Sequence, residues 1–290
     1  MRHVYECPLR WADMDQLAHI NNVRYLDYLQ DARLDFVRSL GVAPRPGEGL
    51  VVARTQVRFL SPLVFRPEPV LVSVRVVEVR AASFTLAYEV YDEAPEPGGA
   101  PRVYLTGATV LTPFDFSTQR PRRLSAEERA ALEPYRDEDG VGLARYDLAP
   151  VPHLDRGHYP VTVRFSDLDP LGHVNNVATI EYLQEARIAV ISRIFGEVPT
   201  GRGRAAVVVA EIDAEYRRQL HLRPGGYDAH THVMRVGNTS ALLGTEIVDP
   251  ATGEVAVRGR VVLVFFDPET QRAAAPPDDV REALLRAAQA

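Results

Sequence analysis

Apolar positions along the chain fall into two long helical runs and eight alternating stretches, and the order of these elements occurs twice. Downstream of Asn22, apolar residues recur at Leu26, Leu29, Phe36, Val37 and Leu40, the spacing of a helix with one buried face, and Gly41 stops the run. Ile180, Leu183, Ala186, Val190, Ile191 and Ile194 repeat the pattern before Gly196. Each run predicts a helix of about 18 residues, roughly 27 Å long. Asn22 and Asn176 are expected as its N-caps. Period-two, β-branched stretches predict antiparallel strands over 50–59, 70–79, 83–91 and 103–113, then over 206–216, 227–236, 241–248 and 255–266. One further strand is expected before each helix, over 4–11 and 159–165. Ser125 with Glu128, and Asp279 with Glu282, read as capping boxes that open a short closing helix in each copy.

The duplication is explicit in the residues. Positions 10–33 read RWADMDQLAHINNVRYLDYLQDAR, and positions 164–187 read RFSDLDPLGHVNNVATIEYLQEAR; 13 of the 24 are identical, far above chance. The correspondence continues at an offset of 157: Arg66-Pro67 faces Arg223-Pro224, and the EVYD stretch at 89–92 faces EIVD at 246–249. The expected organisation is therefore a first domain over 1–136, a linker rich in Asp, Gly and Pro over 137–157, and a second domain over 158–290. The fold class is α+β. Each copy is a curled antiparallel sheet around one long helix, and the uncovered side of each copy favours the other as partner, a pseudo-dimer.

The densest polar cluster precedes each long helix: Asp13-x-Asp15-x-x-x-His19-x-Asn21-Asn22, and again Asp167-x-Asp169-x-x-x-His173-x-Asn175-Asn176. The first turn of a helix offers N–H groups without intrahelical partners and the positive end of the dipole. Such a terminus suits the oxyanion that develops on an acyl carbonyl. A carboxylate beside it can deprotonate water or attack the carbonyl itself. Histidine or asparagine can orient carboxylate, water or carbonyl. Asp13 and Asp167 read as turn formers. Asp15, His19, Asp169 and His173 read as the chemical groups, because both copies keep them while neighbours such as Arg24 and Ala178 diverge.

These loops resemble those of the hotdog-fold thioesterases, including 4-hydroxybenzoyl-CoA thioesterases and acyl-acyl-carrier-protein thioesterases, over nearly the whole chain. The resemblance implies a tandem double hotdog that hydrolyses an acyl thioester, with acyl sites at the junction of the halves. It places the catalytic carboxylate on Asp15 and Asp169, and the histidine of the plant carrier-protein enzymes on His19 and His173. The oxyanion-binding N–H falls near Asn22 and Asn176. The asparagine that the plant enzymes carry two places after the aspartate is replaced by Leu17 and Leu171. The stretch Tyr216-Arg217-Arg218-Gln219 is similar to a Y-R-R-E run in those enzymes, which puts Gln219 at a functional glutamate; the first copy has Phe59-Leu60-Ser61-Pro62 there. Gly172, where the first copy has Ala18, also brings the second copy closer to the family.

No cofactor is expected: coenzyme A or an acyl carrier protein enters as part of the substrate. Arg80, Arg202 and Arg204 are candidate contacts for its phosphates. His230 and His232 share a face of one strand but lack a third ligand, so no metal site is expected. Net charge is −6 without a basic run, so nucleic acid is not an expected partner. No apolar run approaches the roughly 20 residues that span a bilayer, and the start of the chain carries no signal-like segment, so a cytoplasmic location is expected. All 33 basic residues are arginine, which removes Schiff-base lysine chemistry, and no G-x-S-x-G elbow is present. Two rivals remain open at this point: a hydratase or dehydratase acting on the same thioesters, and a non-catalytic acyl-CoA or lipid binder whose loops are only caps. Association of pseudo-dimers into a homo-oligomer also stays open.

Overall fold

A computed structural model describes all residues except 16–17, 44, 95, 97, 138–139, 141, 143, 145–146, 197–205, 268, 271 and 290. It divides the chain into two compact units, 1–145 and 146–290, so the division falls inside the stretch expected as linker. The first unit runs β1 (His3–Cys7), α1 (Asn22–Ser39), β2 (Glu48–Phe59), β3 (Val70–Val79), β4 (Phe84–Asp92), β5 (Arg102–Asp115), β6 (Arg120–Pro121) and α2 (Ala126–Leu132). The second repeats it as β7 (His158–Val161), α3 (Asn176–Gly196), β8 (Ala206–Tyr216), β9 (Tyr227–Val236), β10 (Ser240–Val248), β11 (Val255–Asp267), β12 (Arg272–Ala273) and α4 (Asp278–Gln289).

Strand order in the first unit is β1-β3-β4-β5-β2, and in the second β7-β9-β10-β11-β8, with every neighbour antiparallel. Register shifts between Val52 and Arg54, and between Val262 and Leu263, bend the strands that curl over the helix. α1 packs on β1 and β3, and α3 on β7, β9 and β10. Alternation explains the packing: Val70, Val72, Val74 and Val76 all point inward and are fully buried, and they share the core of this unit with buried Tyr28, Leu29, Ala32 and Phe36 of α1. In the second unit α3 approaches its sheet so closely that a Cβ at Gly259 would lie 2.7 Å from Leu183 Cδ1.

Residues that recur between the copies make the same contacts. Arg66 is ion-paired with Asp92, and Arg223 holds Asp249 through two bonds of 2.8 and 2.9 Å. Each unit also fastens its own stretch of linker. Arg75 bridges Glu89 and Asp137 in the first. In the second, buried Glu246 takes His153 at 2.7 Å, and Arg258 donates to the Leu148 carbonyl at 3.0 Å.

Three expectations need correction. The strands before the helices are shorter than expected: β1 stops at Cys7 because Pro8 has no N–H for the ladder, and β7 stops at Val161. Trp11–Asp13 and Phe165–Asp167 instead form 3₁₀ turns. The N-caps are Asn21 and Asn175, whose side chains accept the N–H of Val23 at 2.9 Å and Val177 at 2.8 Å; Asn22 and Asn176 are the first helical residues. Asp279 lies inside α4, which already begins at Asp278, whereas Ser125 and Glu128 do form the capping box. Among the described residues, no helix is long and apolar enough to cross a membrane.

Candidate active site

Each loop before a long helix folds into the same small ring. In the first unit the Asp15 N–H donates to the His19 carbonyl at 2.8 Å, the Ala18 N–H to the Asp15 carbonyl at 3.1 Å, and the His19 N–H to Asp15 Oδ1 at 3.3 Å. In the second, Asp169 and His173 make the same bonds at 2.8 and 3.3 Å, the Gly172 N–H donates to the Asp169 carbonyl at 3.0 Å, and Leu171 adds an N–H to Asp169 Oδ1 at 2.9 Å. Antiparallel bridges, Met14 with Ile20 and Leu168 with Val174, close each ring at its base. The reversal requires a left-handed residue: Gly172 has φ 81° and Ala18 has φ 58°. Glycine takes that conformation freely, whereas alanine gives up about 1–2 kcal/mol. The first unit therefore carries strain that the second avoids.

Asp13 and Asp167 fasten the ring to the helix. Their carbonyls accept the N–H of Asn21 and Asn175, both at 2.8 Å. The Asp13 carboxylate is buried, and its Oδ2 accepts the Tyr28 hydroxyl at 2.8 Å and Arg10 Nε at 3.0 Å. Asp167 accepts the Tyr182 hydroxyl and the Arg164 N–H. These contacts suit an anchoring role. Asp15 and Asp169 differ: among the described residues, the hydrogen bonds to the Asp169 carboxylate all fall on Oδ1 and come from backbone N–H groups of its own loop. Such bonds fix the plane of a carboxylate without supplying a countercharge. Asn22 and Asn176 are the first residues of their helices, at the positive end of the helix dipole.

A segment after the second strand of each unit lies against the ring. The Leu63 carbonyl accepts the Ile20 N–H at 2.8 Å, and the Leu220 carbonyl accepts the Val174 N–H at 2.9 Å. Gln219 immediately precedes Leu220, and Pro62 precedes Leu63, in these two segments. The Tyr216 hydroxyl donates to the Asn176 carbonyl at 3.1 Å. Sequence reasoning missed His221, whose ring meets that of His173 edge-on at 5.0 Å between centroids. Burial first, then the neighbouring His221, holds the His173 pKa below that of an ordinary histidine, against the pull of Asp169. The shift favours the neutral imidazole. The signal that could have found His221 is its replacement by Val64 in the first copy.

Other candidates lie elsewhere. Arg80 sits in the turn between β3 and β4, exposed and ion-paired with Glu78 at 3.0 Å. Arg202 and Arg204 lie outside the described residues, as does Leu17. His230 stacks on His153 at 4.3 Å and faces His158 at 5.4 Å, while His232 lines a cavity with Arg156, Arg193 and Val190. Cys7 is buried, and burial pushes its thiol up to about 12, so it is a poor nucleophile.

The sequence profile of the Thioesterase-like superfamily matches residues 9–132 and again 163–284, covering both rings and both helices. The chain belongs to this family. This Thioesterase-like chain is 30% identical over 129 residues to the uncharacterized protein YsmA of Bacillus subtilis, covering 82% of that protein and 43% of this chain. It is 35% identical over 65 residues to the chloroplastic acyl-acyl carrier protein thioesterase ATL3 of Arabidopsis thaliana, covering 34% of that protein and 21% of this chain. The fold of a 12:0-ACP thioesterase from Umbellularia californica superposes with a TM-score of 0.66 at 17% identity, over 92% of this chain and 97% of that one. The fold of this Thioesterase-like chain is accordingly the two-repeat hotdog that the family resemblance of its loops implied.

Proposed function

We propose that this chain hydrolyses acyl thioesters, of coenzyme A or of an acyl carrier protein, to a carboxylate and a free thiol. The observation that carries the reading is the repeated ring, which fixes the plane of one carboxylate by backbone bonds just ahead of a helix start. Asp15 and Asp169 act as general base toward water or as nucleophile toward the acyl carbon. In Asp169, whose Oδ1 is held by the loop, the other oxygen is the reacting one. The N–H groups at Asn22 and Asn176, with the positive end of the helix, stabilise the oxyanion of the tetrahedral intermediate. His173, and His19 in the first unit, orient the carbonyl or the water. Gln219 supplies a side-chain amide beside the second ring that Pro62 cannot supply beside the first. The thiol departs with little acid assistance, because its pKa is about 8.5.

Membership of the Thioesterase-like superfamily and the similarity to carrier-protein thioesterases support the reaction class. In this scheme Arg80, Arg202 and Arg204 meet substrate phosphates, and Arg80 would exchange Glu78 for a phosphate oxygen. The test is a panel of acyl chains presented both on coenzyme A and on acyl carrier protein, with thiol release read by a chromogenic reagent. The chain's single cysteine is buried and adds no rapid background. Thiol release well above the uncatalysed rate on either carrier is expected, and the carrier that supports the higher kcat/KM identifies the substrate class. No release on either carrier sinks the proposal.

A further inference from the structure

The second ring has a neighbour that the first ring lacks. At matching backbone positions, after carbonyls that accept the Ile20 and Val174 N–H groups, the first unit places Val64 and the second His221. The His221 backbone is fixed on its other side too, by an N–H bond to the Tyr227 hydroxyl at 2.9 Å. Its side chain is exposed, yet its ring stands edge-on to the half-buried His173 ring at 5.0 Å. An exposed side chain in a segment between strands contributes little to folding. An imidazole set against another imidazole, however, restricts the inner ring's rotation and, through like-charge repulsion, disfavours its protonation. The charged groups that act on His173 are His221, from the segment after β8, and Asp169, from its own loop.

We propose that His221 is a positioning residue of the second site, holding the His173 ring edge-on in the orientation that hydrolysis uses. The inference rests on the reading of the ring as a thioester-hydrolysing site. It makes the two sites unequal for a reason independent of Gln219: the second has a histidine where the first has Val64.

The test is His221→Val, which installs the residue the first unit already tolerates at this place. His173 is titrated by NMR, and kcat and KM are measured across pH on the best thioester. Loss of the second imidazole should move the His173 midpoint upward, toward an ordinary histidine, by a few tenths of a unit. The acid limb of kcat/KM should move up with it. At pH 7 kcat should fall about tenfold with KM unchanged, the scale expected when a reacting geometry loosens, and the melting temperature should hold. His221→Phe, which keeps an edge-on ring without a charge, should recover most of kcat but leave the His173 midpoint raised. An unmoved His173 midpoint and acid limb in His221→Val overturn the inference while leaving the thioesterase reading intact. A chain that releases no thiol from any carrier overturns that reading first, and this one with it.

Discussion

Replacing both Asp15 and Asp169 by asparagine should lower thioester hydrolysis about 100-fold or more, the usual loss when a general base is removed. Asparagine keeps the shape and the Oδ1 acceptor, so the N–H groups of His19, Leu171 and His173 retain their partner. The ring should stay closed and the helix start in place, and the thermal melt should move little. What disappears is the negative charge that takes a proton from water or attacks the acyl carbon. Steady-state kcat on the best substrate, with the melt as control, checks the expectation. Full activity in the double variant would reduce both rings to structural caps.

The opposite signature is expected two residues earlier. Asp13→Ala removes the acceptor of the fully buried Tyr28 hydroxyl and of Arg10. A buried donor left without a partner costs about 1–3 kcal/mol. Denaturant unfolding should show a loss of that size in the first unit, while the second unit, with Asp167 on Tyr182, keeps its stability. Removing the orphaned donor as well, in Asp13→Ala/Tyr28→Phe, should restore part of the loss, because a pair replaced by apolar groups is close to neutral. If Asp13→Ala instead left stability unchanged and abolished turnover, the division between an anchoring and a reacting aspartate would be wrong.

The fold was legible because the information is local and duplicated. Period-two runs such as Val70 to Val76 and the apolar face of α1 declare their elements directly, and the offsets of 154 and 157 align them. The Arg66–Asp92 and Arg223–Asp249 pairs show why the Arg-Pro and EVYD or EIVD stretches recur together. The errors lie where one residue decides a boundary. Of two adjacent asparagines, either can cap by type, and only backbone geometry selects Asn21 and Asn175. Pro8 ends a ladder that the apolar pattern would have continued. Asp13 read only as a turn former, and its buried bond with Tyr28 came from the structure. His221 was legible only as a difference from Val64 in the first copy. It is 48 residues beyond His173, and nothing local marks it; only the return of the chain past Leu220 onto the ring brings the two imidazoles together.

The most direct measurement follows a 2,3-unsaturated acyl thioester in water labelled with oxygen-18, with thiol, acid and residual thioester quantified together. Hydrolysis at a carboxylate-activated water predicts free thiol and free acid in equal amounts, with the label in the carboxylate of the acid. Labelled hydroxyl on an intact thioester would instead reveal hydration of the acyl chain, and substrate that binds but is recovered unchanged would reveal a carrier; either result contradicts the assignment of Asp15 and Asp169 to thioester hydrolysis.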